Sequence, residues 1–239
     1  AIALFQPLEE SWPAKDVAAA TWPEPGPQAQ TGLYFVDIPG ARQSQIYVGH
    51  LGLPRTHPDF HAAGVMNYQL GGNFNGVLNM ILREEKGFTY GAGSRFSGGL
   101  YPGTFSGSSS VMSAATRESV EIFRDEIARY REGISEEDLA YTKDAMILSN
   151  ARRFETVGAL VGMLNTIATY DEPFDYVMQE EQVTREMTLE RHREMAQQLL
   201  DPDGMIYLVV GDAATQLAQL RGLGLGNPIL LDVNGNPVQ

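Results

Sequence analysis

The sequence lacks several features that would point to common classes of protein. There is no cysteine among its 239 residues, which excludes disulfide bonds and thiolate metal ligands. Basic residues are scarce, since 17 Lys and Arg stand against 30 Asp and Glu for a formal net charge of -13. A protein that binds duplex DNA presents a clustered basic face, so nucleic acid is not expected as a partner. No apolar run approaches the ~20 residues that span a bilayer, so no membrane span is expected.

What is present suits a globular protein with a sizeable core. Hydrophobic residues make up 43% and charged residues 20% of the chain, and its length allows one large domain or two small ones. Residues 1–10 have no basic n-region, so a signal peptide is not expected there; a processed chain and an excised fragment would both begin this way. Residues 11–32 hold four prolines, which predicts a linker or leading strap over 1–32 and a domain over 33–239.

Periodicity and turn residues predict the strands and helices of this domain. Alternating or continuous apolar runs predict strands at 33–37, 44–53 and 205–212, and alternation around a Gly/Pro turn predicts a hairpin over 91–113. Apolar spacing and capping residues predict helices over 58–72, around 77–82, through 120–130, from 135, over about 156–170, over 188–200 and over 213–224. This order predicts an α+β fold, a two-layer sandwich with helices packed on one face of a mainly antiparallel sheet.

The stretch HPDFH, residues 57–61, looks at first like a zinc-binding pair of histidines. Zinc peptidases use H-E-x-x-H or H-x-x-E-H, in which a Glu beside a ligand His acts as general base. Here Phe60 precedes the second histidine, and His57 occupies the N-cap position, outside the helix that carries His61. We therefore predict a solvated helix start and no metal site in this chain.

Two glycine-rich stretches are candidates for binding. LGGNFNG, residues 70–76, matches neither the P-loop nor G-x-G-x-x-G, so its glycines are expected to turn the chain between two helices. SGSSSVMS, residues 106–113, has no nucleophile elbow around its serines. A strand so rich in Gly and Ser lets another backbone approach closely, and at a sheet edge it would accept an extended peptide by β-augmentation.

The stretch LREEKGFTYGAG, residues 82–93, combines an arginine at the end of a short helix with a tyrosine at the start of the hairpin. The guanidinium fork of Arg83 and the phenol of Tyr90 suit recognition of peptide carbonyls or of a carboxylate. An arginine in the last turn of a helix also complements the helix dipole. The residue types alone therefore leave a binding role and a structural role open.

Four longer stretches follow one another along the chain: VDIPGARQSQIYVG, HPDFHAAGVMNYQLGGNFNGVLNMILREEKGFTYG, ISEEDLAYTKD and DPDGMIYLVVGD. In this order they resemble the C-terminal, non-zinc half of the pitrilysin/insulinase family of zinc metallopeptidases, nearest to its mitochondrial processing peptidase-like bacterial members. The resemblance covers about residues 33–225, and its specific part is the LGG…LRE.KG..Y block. Asn73, Phe74 and Asn75 replace the small or basic residues usual after LGG, which leaves the shape of the chamber open.

The resemblance implies a protease made of two similar halves. One half carries H-x-x-E-H, a downstream Glu and a zinc ion that activates water. The other half lacks this motif and contributes an Arg/Tyr pair to substrate binding; Arg83 and Tyr90 match that pair with its spacing of seven. The expected partner is therefore a zinc-bearing homologous half, on the same polypeptide or as a separate subunit, in a dimer of halves around a peptide substrate. No cofactor is expected in this chain, and zinc is expected in the partner half.

The resemblance also leaves alternatives open. Some relatives serve as scaffold in respiratory complexes, so a structural subunit without a role in proteolysis is the main alternative. An independent enzyme with its own site is a third, for which the sequence offers no convergent catalytic groups. Because bacterial relatives of this shape are often exported, a periplasmic or secreted location is expected, with the cytoplasm as the alternative.

Overall fold

The computed structural model describes residues 6–8, 11–13, 26 and 30–238. Most of the strap predicted over 1–32 lies outside these residues, and the boundary at 33 stays a prediction. The described chain joins the domain at Thr31, whose backbone N–H donates to the carbonyl of Asp203 at 2.8 Å. The hydroxyl of Thr31 donates to the carbonyl of Pro202 at 2.9 Å. These bonds hold the start of the first strand beside a late turn of the chain.

One six-stranded sheet forms the centre of the described domain. Its strands are β1 (Gly32–Asp37), β2 (Gln43–Leu51), β3 (Thr89–Ser97), β4 (Thr104–Met112), β5 (Ile206–Gly211) and β6 (Ile229–Leu231). Their order across the sheet is β3-β4-β2-β5-β1-β6. β1 runs parallel to β5 and β6, whereas the β2–β4, β2–β5 and β3–β4 pairs are antiparallel. The predicted α+β class is confirmed, and the sheet is mixed rather than purely antiparallel.

Helices account for most of the remaining chain. They are α1 (Phe60–Asn67), α2 (Val77–Asn79), α3 (Thr116–Tyr130), α4 (Glu136–Asn150), α5 (Val157–Tyr170), α6 (Tyr176–Glu186), α7 (Leu189–Leu199) and α8 (Ala213–Gln216). α1 and α2 continue as π-helical turns over Tyr68–Gly72 and Met80–Glu85. Short 3-10 turns cover Ser113–Ala115, Ala151–Phe154, Pro202–Gly204 and Leu217–Leu220. No helix in the described part of the chain is both long and apolar enough to cross a bilayer.

Local capping signals fix three helix starts where the sequence predicts them. The hydroxyl of Ser135 accepts the N–H of Asp138 at 3.1 Å, and the Asp138 carboxylate accepts the backbone N–H of Ser135 at 3.4 Å, which is a capping box with Asp in place of Glu. The hydroxyl of Thr156 accepts the N–H of Ala159, and that of Thr188 accepts the N–H of Arg191, each at 3.1 Å. Each bond satisfies a donor that the first helical turn leaves free.

Other boundaries differ from the prediction. The helix expected from Pro58 begins at Phe60 with Asp59 at the N-cap, because a turn over 57–59 comes first. The closing helix expected over 213–224 is a single short helix followed by a 3-10 turn that ends at Leu220. α6 and β6 have no counterpart in the prediction. Both are weakly patterned elements whose positions depend on neighbours distant in sequence.

The helices cover one face of the sheet, and the apolar core lies between the two layers. Alternate strand residues point into this core, among them Phe35, Ile46, Phe105, Tyr207 and Val209, each with at most 1% of its surface exposed. The intervening residues point to the opposite, open face. On β2 and β4 this open face carries Tyr47, Ser106 and Ser108, which are only partly covered. The open face is the surface that the fold leaves free to meet another molecule.

Three histidines lie in or beside the core. His192 is fully buried, with Nε2 3.2 Å from the Tyr130 hydroxyl and 3.2 Å from the Met66 carbonyl oxygen. Nδ1 of His50 lies 2.7 Å from the Leu51 carbonyl oxygen. Burial lowers the pKa of both groups, although the carbonyl contacts act in the opposite direction. Burial also lowers the pKa of His61, against a smaller opposing effect of Glu180.

We expect folding stability to fall as the pH drops below about 6.5, the pKa of histidine in an unfolded chain. Between that value and the lower folded-state pKa values, the unfolded chain binds protons that the folded chain does not. Each histidine then contributes up to about 1.4 kcal/mol per pH unit to the loss. Urea unfolding between pH 7.5 and 5.5 measures this slope. His192→Phe should give a smaller slope than the parent, and equal slopes would contradict the assignment.

Candidate functional site

Tyr90 lies in a β-bulge at the start of β3. The register between β3 and β4 shifts between Thr89 and Ala92, so Tyr90 and Gly91 have no regular partner on β4. Tyr90 is 91% exposed, although tyrosine is a large, mainly apolar residue. A side chain this exposed contributes almost nothing to the core. The bulge therefore presents the phenol to the surroundings.

Hydroxyl groups hold the backbone of this bulge. The Thr89 hydroxyl accepts the N–H of Gly91 at 3.1 Å and lies 2.6 Å from the Ser110 carbonyl oxygen, to which it donates. The Ser109 hydroxyl donates to the Gly91 carbonyl at 2.9 Å. Because these bonds replace the missing ladder bonds, the irregular backbone keeps its polar groups satisfied. One serine of the Ser-rich strand thus has a structural role in shaping the site.

Arg83 lies in the π-helical turn that follows α2. Its guanidinium stacks on the ring of Phe74, with Cζ 4.5 Å from the ring centroid, which is a cation–π contact. Its Nη1 atom lies 3.0 Å from Oε1 of Glu84, but this atom is buried and has no hydrogen bond of acceptable geometry within the described chain. The contact with Glu84 is therefore an ion pair and not a hydrogen bond.

Asn79 connects the two sides of the site. Its Nδ2 donates to the Phe74 carbonyl at 2.7 Å, and its Oδ1 accepts the N–H of Ala92 at 3.0 Å. The loop that carries Phe74 is therefore tied to the strand that carries Tyr90. Between them lies a cleft of about 500 Å3 that is lined by Phe74, Asn79 and Tyr90. Arg83 is linked to this cleft through Phe74.

The edge of the sheet next to this cleft is β3, not the Ser-rich strand. β4 lies between β3 and β2 and pairs with both, so the hypothesis that SGSSSVMS accepts a peptide at a free edge is wrong. On β3 itself, the Ser94 carbonyl accepts the side-chain amide of Asn67 at 2.8 Å. The N–H of Ala92 is bonded to Asn79. Two polar groups that β3 turns away from β4 are thus already occupied.

A second cleft, of about 510 Å3, lies on the open face of the sheet. Tyr47 and Ser108 are cross-strand neighbours there, and so are Arg95 and Ser106. Both clefts are lined by Gly71, Gly93 and Ser108, so they form one continuous groove from the bulge to Arg95.

The HPDFH stretch has a structural arrangement away from this groove. Nδ1 of His57 accepts the N–H of Asp59 at 3.0 Å, while Nε2 of His61 lies 2.9 Å from the Thr184 hydroxyl. The two imidazole rings therefore contact different neighbours. Within the described residues, no group of three or more His, Asp or Glu side chains is arranged to hold a metal ion. That this chain binds no zinc stays a prediction.

Glu180 is the centre of the charged cluster beside His61. Its carboxylate accepts hydrogen bonds from Arg55 at 2.9 Å and Arg153 at 2.8 Å. Burial, the largest single effect, raises the pKa of Glu180, but the hydrogen bonds from Arg153 and Arg55 and the charges of His61 and Arg153 together outweigh it, so the pKa lies below its ordinary value. The charges of this cluster balance one another. The contact between Arg153 and Glu180 holds the 3-10 turn that precedes α5 against α6. Its role is structural.

Sequence reasoning singled out Arg83 and Tyr90 but missed Phe74, Asn79 and Arg95. In the sequence, Phe74 stands out only as a departure from the family pattern. Its contact with Arg83 depends on how the loop after Gly72 folds. The one available signal for Arg95 was its alternation with Gly93 along a predicted strand, which places both on the same face.

Comparison with known proteins identifies the family to which the chain is similar. Residues 1–146 match the family described as "Peptidase M16 inactive domain". A zinc protease of Streptomyces coelicolor, itself uncharacterised, is 28% identical over 161 residues, or 66% of this chain and 35% of that protein. A solved peptidase M16 inactive domain from Pseudomonas fluorescens is 25% identical, with a TM-score of 0.74 over 82% of this chain and 47% of that one.

A third relative shares the fold at lower identity. The periplasmic protease PqqL of Escherichia coli superimposes with a TM-score of 0.68 at 18% identity, over 88% of this chain and 24% of that one. The present chain thus spans about a third of the curated relative and about half of the Pseudomonas chain.

Replacing Gly71 with alanine should destabilise the fold. A Cβ at Gly71 would lie 2.4 Å from the backbone nitrogen of Ser94, which cannot move aside as a flexible side chain can. We expect a loss of about 1–3 kcal/mol in the free energy of unfolding, as for overpacking of a core. Chemical denaturation measures the change.

Gly64→Ala is the matched control. Gly64 lies within α1, and nothing lies within 4 Å of a Cβ built there. The same substitution should there be stabilising by about 0.5–1 kcal/mol, because alanine favours a helix over glycine. Equal effects at the two sites would show that the close approach at Gly71 does not limit packing.

Proposed function

Because the chain belongs to the peptidase M16 inactive-domain family, we propose that it is the non-catalytic half of a zinc-dependent endopeptidase. In this proposal Arg83 and Tyr90 hold an extended peptide while a zinc-bearing partner half hydrolyses it. The match confirms the family resemblance that the sequence motifs indicate. The binding of peptide by this half is the part that experiment must test.

The observation that carries the proposal is the exposure of Tyr90 beside a shallow, open cleft. Tyr90 is 91% exposed and lies on a bulge whose backbone is fixed by Thr89 and Ser109. Such a bulge orients a side chain without using it for packing. Phenol groups combine an apolar ring with a hydrogen-bonding tip, which suits contact with a peptide backbone.

Arg83 supplies a complementary donor. Stacking on Phe74 holds the guanidinium in place, while its Nη1 remains without a hydrogen bond inside the described chain. The Arg83 side chain is nevertheless 33% exposed, so its accessible guanidinium N–H groups can donate to an oxygen of a bound peptide. The arrangement therefore supports binding of a peptide carbonyl or carboxylate at Arg83.

Zinc belongs, in this proposal, to the partner half. The histidines of HPDFH point to different neighbours, so the residues that the structure describes do not fit a zinc ion. The curated relative and the Pseudomonas chain are both more than twice as long as their matched parts, which leaves room for a second half. The partner is a homologous half on the same polypeptide or a separate subunit, and the two form a dimer of halves around the substrate.

A scaffold subunit without a role in proteolysis is the second candidate, which the family's inactive domain permits.

For location we propose the periplasm or the exterior of the cell, supported by the fold shared with a periplasmic protease. The cytoplasm is the alternative.

Peptide hydrolysis should require both halves. This chain alone is expected to be inactive because it offers no activated water, and the zinc half alone should be weak because it lacks half of the chamber. A quenched fluorescent peptide assayed with each half and with the mixture measures the requirement. Full activity of the zinc half without this chain would favour the scaffold alternative.

Arg83→Ala should lower kcat/KM of the complete peptidase by about 10- to 100-fold, because a charge-assisted hydrogen bond contributes about 1.5–3 kcal/mol. Tyr90→Phe removes a neutral hydrogen bond and should cost about 0.5–1.5 kcal/mol. Arg193→Ala, on the exposed surface of α7, is the matched control and should be neutral. A lower melting temperature for Arg83→Ala with unchanged cleavage per folded molecule would show a purely structural arginine.

A further inference from the structure

The groove that runs from the bulge to Arg95 has an unusual charge for this protein. The chain carries 30 acidic and 17 basic residues. The groove is lined by the residues of both clefts, most of which are Gly, Ser, Asn or Tyr. Among these described residues there is no carboxylate, and the one charged side chain is Arg95. A strongly acidic protein thus has a locally cationic groove.

The guanidinium of Arg95 has no partner within the described chain. It takes part in none of the side-chain hydrogen bonds or ion pairs there, whereas Arg83 stacks on Phe74 and Arg55 binds Glu180. Arg95 is exposed and lies in the regularly paired part of β3. A cation fixed by regular backbone and left unpaired is available to a ligand.

The neighbours of Arg95 leave space above the sheet. Ser106 lies opposite Arg95 on β4, and Gly49 lies opposite Ser106 on β2. Gly49 cannot carry a side chain, because a Cβ there would lie 2.4 Å from the Phe105 carbonyl oxygen. The row across the sheet is therefore a shallow trough with a hydroxyl beside the guanidinium.

We propose that Arg95 and the hydroxyl of Ser106 form a subsite for a carboxylate of the bound peptide. The inference rests on the proposed peptide-binding function and adds a substrate class to it. A planar guanidinium matches a carboxylate through two parallel hydrogen bonds, and the hydroxyl of Ser106 can donate a third. The carboxylate is that of an acidic side chain, with the peptide's C-terminus as the other source of the same group.

The distance along the groove sets the position of this carboxylate. Arg95 follows Tyr90 by five residues, and regular strand residues rise by about 3.3 Å each. Because the bulge between Thr89 and Ala92 shortens this path, the two sites lie at most about 16 Å apart. An extended peptide spans this distance in about five residues. The acidic residue therefore lies about four to six positions from the residue held at Tyr90.

The test uses the complete peptidase and a series of quenched peptides with one Glu moved stepwise along a neutral host sequence. Each Glu peptide has a matched Gln peptide, and each is made with a free and an amidated C-terminus. We expect one position at which Glu is cleaved about 10-fold more efficiently than Gln by the parent enzyme. Arg95→Ala should abolish that preference while leaving the Gln peptides unchanged.

Charge reversal makes the test sharper. Arg95→Glu should disfavour Glu at the same position and favour Lys there, and Arg193→Ala should behave as the parent. A preference that depends on the free C-terminus instead of the Glu would assign the subsite to the terminal carboxylate. If Arg95→Ala changes Glu and Gln peptides equally, or neither, the subsite is wrong.

The outcome is separable from that of the proposed function. A loss of cleavage in Arg83→Ala together with unaltered selectivity in Arg95→Ala overturns the subsite alone. If both variants cleave all peptides, the Glu peptides included, as the parent does, peptide binding by this half is overturned and the subsite with it.

Discussion

The corner between α1 and α2, residues 70–76, approaches β3 closely, and the rest of the site depends on this constraint. At Gly71 a Cβ would lie 2.4 Å from the backbone of Ser94, so only glycine permits this contact. The approach brings Asn67 and Asn79 within hydrogen-bonding distance of Ser94 and Ala92. The corner, the loop that carries Phe74 and the bulge that carries Tyr90 are thereby fixed relative to one another.

This contact decides which part of the sheet is free to bind. An open edge strand presents unpaired N–H and C=O groups and invites pairing with another chain. On β3 two of these groups are bonded to asparagine side chains, and β4 is paired on both sides. The exposed, hydroxyl-rich face of the sheet remains available. The peptide recognition proposed for this half therefore relies on side chains on a face and not on backbone pairing at an edge.

Local signals made much of the fold predictable from sequence. Ser135, Thr156 and Thr188 cap helices through bonds that span three residues, so the motif alone defines them. β6 pairs with β1 nearly 200 residues earlier, and its three residues carry no pattern that a sequence can show. The assumed edge position of the Ser-rich strand failed for the same reason, because strand order depends on long-range pairing.

The residues of the site also differ in whether the sequence identifies them. Arg83 and Tyr90 were found through family resemblance, since one arginine and one tyrosine seven apart carry no meaning by themselves. The part that Phe74, Asn79 and Arg95 have in the site follows only from the conformation of the corner and from the strand register. Of these, Arg95 depends most on register: a slip of one residue would turn it into the core, where an unpaired guanidinium is prohibitively costly. The bulge that frees Tyr90 lies before Ala92, and regular pairing resumes there, so the same strand can present a tyrosine through irregular backbone and an arginine through regular backbone.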